Sequence, residues 1–346
     1  MLPSRLRRTA LPAAATALVA LTATACGDGA DAATGGGKTP VRIAYQSIPN
    51  ADLVVKNHKL LEKALPDADV QWVKFDSGAD VNTAVIAGSV DFALAGSSPV
   101  TKGLSEPLDI PYKVLWIHDL IGENEALVAK KGIGSVKALK GKKIAAPFGS
   151  TSHYSLLAAL ESAGLKASDV QLVDLQPQDA FSAWQRGDID AAYVWTPSLT
   201  ELKKDGKVLV TSREIAEQGK PTADLGVVTE DFADRHPKIV DAWLKAEDQA
   251  VKLAKSDPDR AATAIGAELN LSPADAKKQL AQLVLLTAKQ QQGADYLGKP
   301  GAPGKLAGSL HDAAGFLKAQ KAIDAVPARS AFEKDLAVKE LSRVAG

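Results

Sequence analysis

From residue 40 onward, short apolar runs alternate with amphipathic stretches. VRIAYQ (41–46), a helical stretch to Leu65, DVQWVKF (69–75), a helix from Asp80 to Ala87 and VDFALAG (90–96) follow one another in the order βαβαβ. That order predicts an α/β lobe, a sheet covered by helices. It recurs as KKIAAPF (142–148), SLLAALESA (155–163), DVQLVDL (169–175), a helix from Ala180 to Arg186 and IDAAYVW (189–195). The repeat extends to single positions, since DVNTAVIAGSVDFALAGSSP (80–99) parallels DAFSAWQRGDIDAAYVWTP (179–197). Asp80 and Asp179 are predicted N-caps, and Gly88 and Gly187 suit the left-handed residue that ends a helix. Pro99 and Pro197 fit the first turn of a following helix capped by Ser98 or Thr196.

A Ser-Pro or Thr-Pro step after a buried strand aims a helix N-terminus at the strand's carboxyl edge, where open α/β sheets bind ligands and where free N–H groups favour an anion. Capping alone explains such a step in a single lobe; two edges facing each other make a cleft. STSHYS (150–155) is a third edge, with more hydroxyls than one cap needs. His153 and Tyr154 lack the partners of an activated nucleophile and are read as packing or rim residues. Asp91 and Asp190 occupy matching positions in both lobes, which favours a structural role.

The chain has 346 residues, 41 basic and 41 acidic. About 300 folded residues exceed one compact core, so two lobes are expected. At the N-terminus Arg5, Arg7 and Arg8 precede an apolar run from Leu11 to Ala25, an export signal over 1–25 that is too short and too alanine-rich for a membrane span. Cys26, the one cysteine, follows it where a lipoprotein is acylated; Ala23 and Ala25 also fit ordinary A-x-A cleavage. Residues 26–39, rich in Gly, Ala and Asp, read as a flexible tether. Loss of the signal leaves 38 basic against 41 acidic residues, which points away from nucleic acid. With one cysteine and five histidines that lack helical pairing, neither an internal disulfide nor a local histidine metal site is expected.

Several stretches then carry a resemblance: AYQ (44–46), KFDSGA (74–79), GSSP (96–99), NEAL (124–127), SHYSLLAAL (152–160), LQP (175–177), and AWQRGDID (183–190) with AYVW (192–195). Over about 41–240 the chain resembles substrate-binding proteins of ABC importers, in the family that takes up sulfonates, nitrate and thiamine precursors, and within it the taurine-binding members. The resemblance implies a type II periplasmic-binding-protein fold, two α/β lobes joined by a two-segment hinge with the ligand cleft between them. The crossings are expected near 125–128 and 219–225, giving lobe one as 40–126, lobe two as 127–220, and 221–346 as a return to lobe one with C-terminal helices. It also implies a binding protein and no enzyme, with a permease and ATPase as partners and no cofactor; together with the export signal and Cys26, an extracytoplasmic monomer held to the membrane by lipid is expected.

Taurine is a zwitterion and needs an anion pocket and a cation pocket within one small enclosure. Gln46, Ser97, Ser98, Thr151 and Ser152 offer neutral donors for the sulfonate. Glu125, Asp224 and Trp195 are the candidates for the ammonium, and by the family pattern both acids match positions lining the taurine site. The alternatives are a hinge acid, a turn residue and a core tryptophan, respectively. Another aliphatic sulfonate would need no cation pocket; an enzyme on the same fold would need a nucleophile-base pair, metal spacing or cofactor motif that the sequence lacks. Lipidation has a direct check: mass spectrometry of mature protein should find a diacylglyceryl-modified Cys26, and Cys26→Ser should release the protein from membranes or block its maturation. An unmodified Cys26 in the mature wild type would refute the anchor.

Overall fold

The computed structural model describes residues 37–345. The export signal, Cys26 and most of the tether lie outside the described residues. Two five-stranded sheets organise the chain. The first holds β1 (Thr39–Gln46), β2 (Ala68–Phe75), β3 (Phe92–Gly96), β4 (Tyr112–Leu120) and β10 (Ala223–Thr229) in the order β2-β1-β3-β10-β4. The second holds β5 (Glu125–Ala129), β6 (Lys143–Ala146), β7 (Gln171–Asp174), β8 (Ala191–Trp195) and β9 (Lys207–Thr211) in the order β7-β6-β8-β5-β9.

The orders are equivalent. In each sheet the three strands of the repeat run parallel, and one antiparallel strand from across the hinge slots beside the third. β5 enters the second sheet directly after β4 leaves the first, and β10 makes the reverse passage. The crossings therefore lie at 121–124 and 218–222. The first falls ahead of the expected 125–128, because those four residues already pair with β8. The apolar runs FALAG, EALVA and AAYVW are buried throughout, as strands covered on both faces require.

The repeated aspartates fasten the parallel strands. Asp91 accepts from the Arg42 backbone N–H at 2.8 Å, and Asp190 accepts from that of Lys143 at 2.9 Å, each at the start of a central strand. Asp80 and Asp179 are not the caps the sequence suggests. Their helices begin earlier, at Gly78 and Pro177, with Ser77 and Gln176 in the cap positions. The acids sit in the first turn, where the helix dipole favours negative charge. Ser98 and Thr196 are not caps either: Ser98 lies inside the helix Ser97–Gly103, and Pro197 precedes the helix Ser198–Leu202. Gly88 and Gly187 do take positive φ, +65° and +81°.

The C-terminal third returns to the first sheet. The helix Pro237–Ser256 buries Ile239, Val240, Trp243, Leu244 and Val251 in the larger core, the stripe its amphipathic pattern predicts. The helix Leu306–Ala319 lies beside the helix Ser97–Gly103 and sends Phe316 edge-on to Tyr154 of the second lobe, 4.7 Å between centroids. Gly226 lets the first of these helices approach β10. A Cβ there would stand 2.6 Å from Trp243 and 3.1 Å from the Trp116 Cβ, both buried. Gly226→Ala should therefore cost about 1–3 kcal/mol by overpacking. Urea unfolding should show a lower midpoint at unchanged slope, and an unchanged midpoint would show that the sheet and helix separate freely.

Candidate functional site

The strands that change sheets each begin with a carboxylate. Glu125 opens β5 opposite Trp195, the last residue of β8; Asp224, second in β10, stands opposite Gly96, the last residue of β3. Both carboxyls reach the carboxyl edges that the repeat aims at the cleft. They line one cavity with Gln46, Ile48, Gly96, Ile121, Asn124, Thr151 and Trp195. Its free volume is about 20 Å³, and room for a single water takes roughly 10–15 Å³ on the same measure. Among the described residues, no Lys, Arg or His side chain lines it.

Glu125 is held by hydroxyls. Thr151 and Ser152 both donate to its Oε2 at 2.7 Å, and Ser212 donates to Oε1 at 2.7 Å. The single Ser212 proton goes to Glu125, so the Tyr193 hydroxyl 3.0 Å away is the donor to Ser212. Burial raises the Glu125 pKa, while the hydroxyls of Ser212, Thr151, Ser152 and Ser155 pull it back. Asp224 has no such support. Burial, reinforced by the charges of Glu125 and Asp52, pushes it up to about 8. A carboxyl perturbed by burial and neighbouring charge within a cleft is a candidate functional group.

The hydroxyls are therefore placed differently from the sequence reading. Thr151 and Ser152 face an anion, but it is the protein's own Glu125; Thr151 lines the cavity and Ser152 lies behind it. Ser97 Oγ accepts from the Ala223 N–H at 3.2 Å and so fixes the start of β10. Ser98 faces a separate groove with Lys102, His153 and Tyr154. Gln46 lines the cavity and donates through Nε2 to the Leu94 carbonyl at 3.1 Å, leaving its second N–H free. At the helix Thr151–Ser162, Ser150 caps the His153 N–H, and the N–H groups of Thr151 and Ser152 belong to the turn that has no intrahelical acceptors.

Trp195 packs with Ile48 and Leu94 of the first lobe, as an apolar roof over the site. Two polar residues escaped the sequence reading. Asn124 lines the cavity and accepts from the Gly122 N–H at 2.8 Å. Asp119 is fully buried on β4, opposite Asp224. Its signal was visible: an acid interrupting the apolar run YKVLWIHDL. The lobes touch beside the site. A Cβ on Gly96 would lie 2.6 Å from the Thr151 methyl, and Gln176 donates across to Ser77 at 3.5 Å.

A family model described as NMT1/THI5 like matches residues 67–261. The taurine-binding periplasmic protein of Escherichia coli strain K12 is 43% identical over 219 residues, 63% of this chain and 68% of that protein. Among solved structures, the alkanesulfonate-binding protein SsuA from Xanthomonas axonopodis pv. citri, bound to MOPS, matches with a TM-score of 0.69 at 21% identity, over 87% of this chain and 98% of that one. The periplasmic aliphatic sulphonate binding protein SsuA from Escherichia coli matches with a TM-score of 0.66 at 22% identity, over 85% and 92%. These structures share the two-lobed α/β fold of periplasmic binding proteins.

The raised Asp224 pKa has a consequence for stability. Between the ordinary 3.8 and about 8, the folded, empty site holds a proton that the unfolded chain has lost. Ligand-free stability should therefore fall as pH rises through that window, by up to about 1.4 kcal/mol per pH unit for one group. Asp224→Asn should flatten the decline in melting temperature between pH 5 and 8. Equal slopes for wild type and variant would show that Asp224 is ionised in the empty site.

Proposed function

We propose that this chain, which belongs to the NMT1/THI5-like family, captures taurine and delivers it to a membrane permease. The chain is an ABC-importer substrate-binding protein acting outside the cytoplasm, and not an enzyme. The finer reading is that its ligand is taurine, that a lipid on Cys26 holds it to the membrane, and that it works as a monomer with a permease and its ATPase. One observation carries the choice of ligand: two buried carboxyls and no basic side chain line a cavity that also adjoins a helix N-terminus.

An ammonium supplies the positive charge that Asp224 and Glu125 lack, under the roof of Trp195. The sulfonate is a permanent anion and requires donors of hydrogen bonds, not a titrating base. In this reading it takes the N–H groups of Thr151 and Ser152 with the free amide N–H of Gln46, Asn124 standing beside them. Thr151 and Ser152 then act on the sulfonate through their main chain and on Glu125 through their hydroxyls. A sulfonate without an amine leaves both carboxyls buried and unpaired, a cost of several kcal/mol if they ionise.

Calorimetric titration with taurine and ethanesulfonate separates these ligands. The wild type should prefer taurine. Asp224→Asn should weaken taurine by on the order of 2–3 kcal/mol, while ethanesulfonate should hold steady or improve because a buried carboxyl has gone. Equal weakening of both would make Asp224 structural, and tighter wild-type binding of ethanesulfonate would remove the taurine reading.

A further inference from the structure

Directly across the β10–β4 ladder from Asp224 stands Asp119, fully buried. The ladder shifts register between Asp224 and Leu225, so this pair stands at a β-bulge, and the charge of Asp224 is among those that bear on Asp119. Oδ2 of Asp119 accepts from Asn50 Nδ2 at 2.7 Å, and Oδ1 has no partner. The Asn50 carboxamide oxygen in turn accepts from the Ala51 N–H at 2.6 Å, which fixes the amide and its donor direction.

Among the described residues, no basic group contributes to the charges that bear on this pair. The groups whose charges bear on Asp119 are Asp224 on β10, Glu125 on β5 and Asp52 on the helix Asp52–Asn57, all acidic. Lys56, on the helix of Asp52, is paired with Glu268. Next to Asp119 on β4, His118 faces the buried Glu247 at 3.7 Å, and burial holds its pKa down to about 3, so it brings no charge at neutral pH. Two buried carboxyls opposed in one ladder, with further acids bearing on them, are costly to ionise together unless a cation joins them. The unpartnered Oδ1 fits the same conclusion, because a buried carboxylate oxygen without a donor is costly and a carboxyl O–H can supply what is missing.

We propose that Asp119 and Asp224 share one proton across the ladder in the empty site, making Asp119 a positioning residue through which entry of an ammonium group expels that proton. The inference rests on the taurine reading. One carboxyl O–H bond breaks, the proton passes to solvent, and the ligand keeps all its N–H bonds. The ammonium, held by Asp224 on the cavity side, supplies the positive charge that the proton takes away, and Asp119, which does not line the cavity, acts through Asp224. Affinity then rises with pH through the range in which the pair titrates, until the amine itself deprotonates. The cation pocket so becomes conditional: a ligand without a positive group leaves the proton where it is.

Titration of wild-type protein with taurine at pH 7, in buffers of low and high ionisation enthalpy such as phosphate and Tris, counts the protons exchanged. The expected result is release of about one proton per taurine bound, and none with ethanesulfonate if it binds. Asp119→Asn should still bind taurine but release few protons, with affinity nearly flat from pH 6 to 8 where the wild type changes up to about tenfold per pH unit. Taurine binding whose heat is independent of buffer would overturn proton sharing. Full proton release by Asp119→Asn would overturn the role of Asp119. Absence of any taurine binding would remove the taurine reading, and this inference with it.

Discussion

Glu125 is 1% exposed and accepts three hydroxyl hydrogen bonds, and the geometry of the cleft hangs on that arrangement. It stands at the first residue of the strand that has just crossed between sheets, and its donors come from the starts of two helices, Thr151–Ser162 and Ser212–Glu217. A buried carboxyl that loses its donors faces a desolvation penalty of several kcal/mol, so the crossing, the two helix starts and the end of β8 are locked into one mutual placement. The helix whose N–H groups reach the cavity is thereby aimed by a charge of opposite function to the one it serves. The same hydroxyls face an acid inside the protein while the main chain beside them faces the cleft.

The two lobes follow one plan but diverge where the plan meets the ligand. Counting along the repeat, Gly96 ends β3 where Trp195 ends β8, and each stands opposite the carboxylate of a crossing strand. One lobe leaves space at that position and the other fills it with an indole. Symmetry of topology thus yields a site with unlike walls, one bare backbone and one aromatic. Below the bare wall stands a further acid, Asp119, whose pKa is pushed up by burial and by the charge of Asp224.

The repeat and the two lobes were legible in the sequence because they depend on local pattern and length, while the crossing strands' carboxylates were named through the family resemblance. Asp91 and Asp190 were read as structural from their symmetry alone, and each fastens a central strand. Side-chain direction was not legible. Thr151 and Ser97 look alike as hydroxyls at strand-to-helix edges, yet one bonds an acid 26 residues back and the other a backbone N–H 126 residues ahead; no local rule separates them. The cap positions slipped because Ser77 and Gln176 start their helices before the aspartates that look like caps. β4 and Asp119 went unread since they have no counterpart within the βαβαβ repeat, and the partner of Asp119 arrives more than 100 residues later.

The near-contact of Gly96 with the Thr151 methyl carries a meaning beyond packing. Backbone on one side and a β-branched side chain on the other make a mechanical stop with little give, so wherever the lobes close on an occupant the protein sets how near they can come. Such a cleft works as a fixed gauge. An occupant that fits lets the stop engage, and one that is too long props the lobes apart by its own length. A transmembrane partner that docks only the shut outline would then read ligand size second-hand, from the spacing of two outer surfaces, without touching the ligand.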